Sequence, residues 1–102
     1  MSNAAAIYTD DELIQKIIMT ESSGNPNAES PVGAEGLMQI LEDTARQPGY
    51  GVTPFQGDDL KDPEENVRFG SEYFYAFADH YGSLKLAAIA YNMGPGKTNK
   101  WI

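Results

Sequence analysis

The sequence predicts an all-α domain, and three observations carry that prediction. No segment alternates apolar and polar residues as a strand does; apolar residues instead recur at spacings of three and four in several stretches; and Asp62-Pro63-Glu64-Glu65 is a strong helix-start signal. At 102 residues the chain can build one modest core but not two. Met1-Ser2-Asn3-Ala4 reads as an expression-vector scar, which leaves residues 5–102 as the domain.

Thr9-Asp10-Asp11-Glu12 has the Thr-x-x-Glu spacing of a capping box and opens a first helix over about residues 10–22. Within it Leu13, Ile14, Ile17 and Ile18 share one stripe at about 100° per residue. Gly24 and Asn25-Pro26 close the helix, because glycine accepts left-handed geometry and the residue before a proline is pushed out of the α region. A loop to Glu35 follows. Leu37, Ile40, Leu41, Thr44 and Ala45 recur at i, i+3, i+4, i+7 and i+8 and predict a second helix over about residues 37–47, with Gln39 off its apolar stripe. The stretch 47–61 carries Pro48, Gly49, Gly51, Pro54 and Gly57, and so long a loop reads either as a lid or binding element or as a surface connection.

Asp62 as cap, Pro63 at the first helical position and two acids in the electropositive first turn start the third helix. Val67, Gly70, Phe74, Phe77 and Tyr81 then set an aromatic face and carry it to about Tyr81. Gly82-Ser83 separates it from a fourth helix over about residues 84–92, where Ala87, Ala88 and Ala90 allow close approach. Gly94-Pro95-Gly96 breaks that helix, and Trp101-Ile102 reads as the start of another.

Seven Lys plus Arg against fifteen Asp plus Glu give a net charge of −8, which repels a nucleic-acid backbone and excludes DNA and RNA as expected partners. No apolar run approaches the roughly 18 residues of a membrane span. Zero cysteines exclude a disulfide framework and a thiolate metal site and leave the compartment open. No metal-ligand cluster and no cofactor motif is present, and His80, alone near an aromatic helix face, reads as structural.

Glu21 continues the stripe of the first helix, four residues after Ile17 and three after Ile18. Periodicity alone leaves two readings open. Either Glu21 is a solvated residue of the last turn, or it is a half-desolvated acid whose raised pKa suits general-acid work near neutral pH.

Glu21-Ser22, Gly36-Leu37-Met38-Gln39 and Ala90-Tyr91-Asn92, in that order, resemble the three signature motifs of the soluble lytic transglycosylase catalytic domain. The resemblance extends to Asn25-Pro26-Asn27-Ala28, Ser30-Pro31-Val32-Gly33-Ala34, Thr44-Ala45, the run from Asp62 to Gly70 and Gly94-Pro95-Gly96, over about residues 14–101. It implies a compact lysozyme-like domain of four to five helices around a substrate cleft. It also implies cleavage of the β-1,4 bond between N-acetylmuramic acid and N-acetylglucosamine in peptidoglycan, closing a 1,6-anhydro ring without water or cofactor.

By the same match Glu21 is the single catalytic acid and base. Tyr91 is the tyrosine whose hydroxyl approaches that acid, where a donor would orient one carboxyl oxygen. Ser30 and Gln39 are positions that hydrogen-bond the sugar, and Ala90, Tyr91 and Asn92 line the substrate site. Alone, a loop serine before proline, a helix-surface glutamine and a core tyrosine would be unremarkable, and Ser22 equally well satisfies backbone at the helix end. A goose-type muramidase, with Glu35, Glu42 or Asp43 placing a water, is an alternative; a wall-binding module that kept the fold and lost catalysis is another.

The chain departs from the family pattern at Leu41-Glu42, where Met-Pro is usual, and at Met93, where a small residue is common. The segment 44–54 resembles a variant found in phage virion proteins more than the periplasmic enzymes. That implies a domain carried to the periplasm or cell wall as part of a longer polypeptide, within a virion or a larger envelope protein, with peptidoglycan glycan strands as its partner.

Overall fold

The computed structural model describes residues 4–93. A 3-10 turn over Ala4–Ile7 is followed by helices α1 (Glu12–Ser22), α2 (Glu42–Arg46), α3 (Pro63–Tyr81) and α4 (Leu84–Met93). Among the described residues β-pairing is confined to two isolated bridges, Glu29 with Glu35 and Glu35 with Ile40, so the all-α expectation holds. Ala4, set outside the fold by the sequence, opens the 3-10 turn, and Ala5 beside it is fully buried. The expected break at Gly94-Pro95-Gly96 and the helix start at Trp101-Ile102 lie outside the described residues.

α1 starts later than the capping box predicts. Its cap is Asp11, whose Oδ1 accepts from the N–H groups of Leu13 and Ile14 at 2.9 and 3.0 Å. Thr9 instead accepts from the N–H of Asp11. A carboxylate outcompetes a hydroxyl here because it meets the positive end of the helix with a full charge. The second oxygen of Asp11 accepts from the Tyr75 hydroxyl on α3, which ties the two helices together. That bond and the two N–H groups hold the Asp11 carboxyl below its usual range, and it pushes the Tyr75 phenol up to about 12. α1 ends at Ser23, which takes φ 56, and Gly24 continues the left-handed turn at φ 79.

The predicted helix over residues 37–47 is not formed. Residues 36–39 are a tight turn in which Gln39 takes φ 54, and α2 is one short piece starting at Glu42. The apolar pattern was sound, since Leu37, Ile40 and Ala45 are buried. What overrides the helix is Asn66 on α3, fully buried, whose Oδ1 accepts from the Met38 N–H at 2.8 Å. Its Nδ2 donates to the carbonyls of Glu35 and Leu60 at 3.0 and 2.7 Å. Gly36, at φ 83, lets that amide in, for a Cβ there would lie 2.3 Å from the Asn66 Nδ2.

α3 forms as predicted. Asp62 caps it by accepting from Glu64 N–H, Pro63 sits at the start, and Gly82 at φ 66 closes it. Phe69, Phe74 and Phe77 are fully buried along it, each contributing on the order of 1.5–3 kcal/mol by removal of apolar surface from water. α4 packs on α3 through Ala87 and Ala90; Ala88, expected to share that contact, is exposed.

The loop over residues 47–61 is fastened, not a free lid. Val52, Phe55 and Leu60 are buried, and the Phe55 N–H donates to Ala45 O. Arg46 donates to the carbonyls of Phe55 and Gly57, and Arg68 to those of Thr53 and Pro54. Glu72 and Glu65, both paired with Arg68, accept from the N–H groups of Thr53 and Gln56. The surface-connection reading therefore describes this loop better than the lid reading does.

Candidate active site

Glu21 stands on the last full turn of α1, half buried, because Ile14 and Ile18 turn that face of the helix inward. Burial alone pushes its carboxyl above the ordinary value of 4.5. Among the described residues no group donates a hydrogen bond to it. Of the two readings left open by periodicity, the desolvated acid is the one the fold realises.

The carboxyl lines a cavity of about 320 Å³ between α1 and α4. Its walls are Leu13, Lys16, Ile17 and Thr20 from α1 and Ala88, Tyr91 and Asn92 from α4, two sets at helical spacing that face each other. A second cavity of about 200 Å³ lies on the other side of Tyr91 and Asn92, bounded by Gln39, Ile40, Leu41, Thr44, Tyr73, Ala90 and Met93. Tyr91 and Asn92 line both, so a chain-like ligand crossing from one to the other passes over them and beside Glu21.

Tyr91 exposes part of its ring while its hydroxyl is enclosed. Desolvation, then the nearby Glu21 charge, holds the phenol well above its ordinary value. The hydroxyl donates to the Met38 carbonyl at 2.7 Å. A phenol has one proton, so the expectation that Tyr91 donates to Glu21 is corrected: its hydroxyl oxygen is left as an acceptor. Gln39 is half buried and donates through Nε2 to Ala28 O and Gly36 O at 3.2 and 2.9 Å, which leaves its Oε1 as the group that can take a hydrogen bond. Its left-handed backbone, not a helix surface, aims it at the cleft.

Ala90 is buried beneath the smaller cavity, and Asn92 is exposed at the junction. Ser30 lines neither cavity; its hydroxyl oxygen accepts from the Ala34 N–H at 3.0 Å and closes its own loop. Ser22 donates to Ile18 O and accepts from Gly24 N–H, the helix-end role. His80 packs edge-on against Tyr50 and Tyr81, on the aromatic surface anticipated for it. Leu41 and Met93, the two departures, both line the smaller cavity.

The periodicity reading missed Lys16, Thr20 and Ala88 as cavity residues. Their signal was present, since Lys16 and Thr20 flank Ile17 and Glu21 on α1, and Ala88 lies three residues before Tyr91. All fifteen Asp and Glu residues lie among the described residues, and Glu21 is the one that lines either cavity. Glu42 pairs with Arg46, and no neighbouring charge contributes to the shift of Glu21. The arrangement is that of one desolvated carboxyl in the larger of two cavities that meet at Tyr91 and Asn92. Among the described residues no group of three or more His, Asp or Glu is placed to hold a metal, and no helix is long and apolar enough to cross a membrane.

Comparison with known proteins gives this arrangement a family. The transglycosylase SLT domain family matches residues 2–102. The soluble lytic murein transglycosylase of Escherichia coli K12 is 39% identical over 94 residues, covering 84% of this chain and 14% of the relative. The transglycosylase of Enterobacteria phage PRD1 is 38% identical over 97 residues, covering 94% of this chain and 34% of the relative. The crystal structure of the 70 kDa soluble lytic transglycosylase of Escherichia coli superposes with a TM-score of 0.76 at 33% identity, covering 96% of this chain and 17% of that one. Lytic transglycosylase Slt from Pseudomonas aeruginosa, solved as an inactive variant with glutamine in place of a glutamate, gives 0.72 at 33% identity, over 86% of this chain and 15% of that one. The chain thus spans a small part of these relatives, and the lysozyme-like helical architecture is shared over nearly all of it. With the family match running over residues 2–102 and the helices and cleft in place, the chain belongs to the transglycosylase SLT domain family.

Proposed function

We propose that this domain is a peptidoglycan lytic transglycosylase, cleaving the β-1,4 bond between N-acetylmuramic acid and N-acetylglucosamine and leaving 1,6-anhydromuramic ends. One observation carries the reading: a single desolvated carboxyl in the larger of two adjoining cavities, with no second carboxylate in either. Ordinary glycosidases place two carboxyls about 5–5.5 Å apart for retention or 6.5–9.5 Å for inversion. One suffices when the substrate brings its own nucleophile.

Protonated Glu21 gives its proton to the glycosidic oxygen, and the C1–O bond breaks with its electron pair leaving on the N-acetylglucosamine O4. The N-acetyl oxygen of the muramyl sugar stabilises the cation at C1. Glu21, now a carboxylate, takes the proton of the C6 hydroxyl, and O6 attacks C1 to close the ring. Desolvation favours the protonated acid at the first step and strengthens the base at the second. The Tyr91 oxygen accepts a hydrogen bond from protonated Glu21 while the substrate arrives, the proton staying on the carboxyl, and Gln39 Oε1 takes a sugar N–H or hydroxyl in the smaller cavity. Ala90 forms the floor and Asn92 holds the wall between the cavities, while Ser30, outside both, keeps its hydroxyl proton for a sugar of a strand that runs on past the Ala28 loop. The domain works in the periplasm or cell wall as part of a longer polypeptide, a virion protein or a larger envelope protein.

Digestion of purified sacculi followed by mass analysis of the muropeptides tests this. Anhydromuramic ends are expected. Reducing muramic ends would identify a goose-type hydrolase instead, and sedimentation with sacculi without release of fragments would identify a binding module.

A further inference from the structure

The turn Gly49-Tyr50-Gly51 carries a feature that neither the core nor the cleft explains. All three residues take left-handed backbone, at φ 69, 54 and 75. Glycine adopts that region freely, but a tyrosine there carries a backbone cost, and such a cost persists only where the surrounding structure enforces it. Here it does. Pro48 and Val52 on either side are buried, and the Val52 N–H donates to Gly49 O at 3.0 Å. The fastened turn holds out an aromatic ring, for Tyr50 is 40% exposed.

The ring is fixed by its neighbours as well as by its backbone. It meets Phe77 at 5.1 Å and His80 at 5.0 Å, nearly perpendicular to both at 81° and 72°, so neither lies flat against it. Tyr73, Phe77 and His80 recur at i, i+4 and i+7 on α3, over about 10 Å of helical rise. Tyr73 lies 4.4 Å from Phe77 and, with Thr44, lines the smaller cavity. Burial, then the Tyr50 phenol, pushes the Tyr73 phenol above its ordinary value, which sets the two hydroxyls near one another. An aromatic ridge thus runs from the smaller cavity out to Tyr50.

A polymer that fills both cavities leaves past their ends, and on the Tyr73 side the ridge lies in its path. A β-linked pyranose turns C–H bonds to its two faces and hydroxyls to its rim. An aromatic face, negative by its quadrupole, complements the first, and a phenol complements the second. We propose that Tyr50 is an outer sugar platform, stacking on a hexosamine beyond those held in the two cavities, and that it makes the domain favour long strands over short ones. This rests on the reading of the smaller cavity as a glycan site.

The test is calorimetric binding of peptide-free glycan tetrasaccharide and octasaccharide to the Glu21→Gln protein, in which turnover is suppressed and binding is read alone. The ratio of octasaccharide to tetrasaccharide affinity is the readout, since any gain from the greater number of registers on a longer strand cancels between variants. Adding Tyr50→Gly is expected to lower that ratio about fivefold, as loss of one aromatic contact gives. Tyr50→Phe, which keeps the ring, retains it. Glycine suits the left-handed position, and Tyr50→Asn, which also tolerates it, repeats the measurement with a side chain present. An unchanged ratio in Tyr50→Gly overturns the platform. So does an equal loss for both lengths, which would leave Tyr50 as a buttress of Phe77 and Tyr73. Muropeptide analysis of sacculi digested by the unaltered chain separates the two readings: anhydromuramic ends with a ratio independent of Tyr50 overturn the platform alone, and a Tyr50-dependent ratio without anhydromuramic ends overturns the reaction alone.

Discussion

The Tyr91 hydroxyl on α4 donates to the Met38 carbonyl at 2.7 Å, bridging 53 residues of sequence. The N–H of the same Met38 is held by Asn66 of α3 at 2.8 Å. The Gly36-Leu37-Met38-Gln39 turn is therefore pinned on one side by the helix that carries the cleft wall and on the other by the central helix of the core. Two of the three signature segments are joined by one bond, and the charge of the third, at Glu21, adds to the burial that raises the phenol of the tyrosine that makes it.

Tyr91→Phe removes that bond and leaves a buried carbonyl without a donor. Stability is expected to fall by about 1–3 kcal/mol in denaturant unfolding. The variant also removes the oxygen proposed to accept a hydrogen bond from protonated Glu21, so the alkaline limb of the pH–rate profile should move to lower pH. A stability loss with an unmoved limb would make Tyr91 a packing residue only.

Glu21→Gln is expected to lower turnover on sacculi by about 10²–10⁴-fold, the range of a lost general acid and base. Its stability should change with the opposite sense. Burial raises the Glu21 pKa in the folded chain, so the folded state favours the protonated acid. The stability this carries is full below the ordinary value of 4.5 and is lost as pH rises through the folded value. The glutamine variant should thus match the unaltered protein in acid and exceed it at neutral pH. Thermal unfolding from pH 4 to 7 checks this; a variant less stable at pH 7 would contradict the desolvation argument.

The parts of this fold that were legible in the sequence are those fixed within one or two turns of chain. α3 is the clear case, since its cap, first-turn proline, acids and aromatic spacing all act locally. The position of Glu21 was legible for the same reason. α2 was not, because its apolar spacing fits a helix and the bonds that prevent one come from Asn66, 28 residues on from Met38. Nothing local marks Asn66 as a clamp. Nor does anything local assign the Tyr91 proton, which is decided by where Met38 lands. Ala88 was misread because an alanine-rich helix has small residues on every face, and only packing against α3 chooses which are covered.

Arg68→Met should loosen the 47–61 loop without unfolding the chain. Arg68 holds the carbonyls of Thr53 and Pro54 and orders Glu65 and Glu72, which accept from the Thr53 and Gln56 N–H groups. Because the group is partly exposed, the expected loss is about 1–2 kcal/mol. Arg68 holds the Glu65 carboxyl below 4.5, so that part of the stability is present above the ordinary value and disappears as pH falls through the lowered one. Hydrogen exchange at the Thr53 and Gln56 amides reads it: both should exchange faster in the variant at pH 7, and unchanged protection would mean that Val52, Phe55 and Leu60 hold the loop alone.

Gly70→Ala sets helix propensity against packing, and the geometry decides between them. In the interior of a helix alanine is favoured over glycine by about 0.8–1.0 kcal/mol. At this site, however, a Cβ would meet Met38 at 2.4 Å from Sδ, 2.8 Å from Cβ and 2.9 Å from Cε. The sulfur and terminal methyl can swing away, but the Met38 Cβ is fixed by a backbone held through Asn66 and Tyr91. Overpacking of this kind costs about 1–3 kcal/mol, which exceeds the propensity gain over most of that range. The variant should be less stable by about 1 kcal/mol, and because the strain falls on the Met38 peptide, turnover should drop with it. Adding Met38→Ala relieves the contacts to Sδ and Cε but not to Cβ, so the double variant recovers only in part relative to Met38→Ala alone. Denaturant unfolding of the four proteins measures the coupling, and a Gly70→Ala protein more stable than the unaltered chain would show that the turn yields and that Met38 does not fix the Tyr91 hydroxyl.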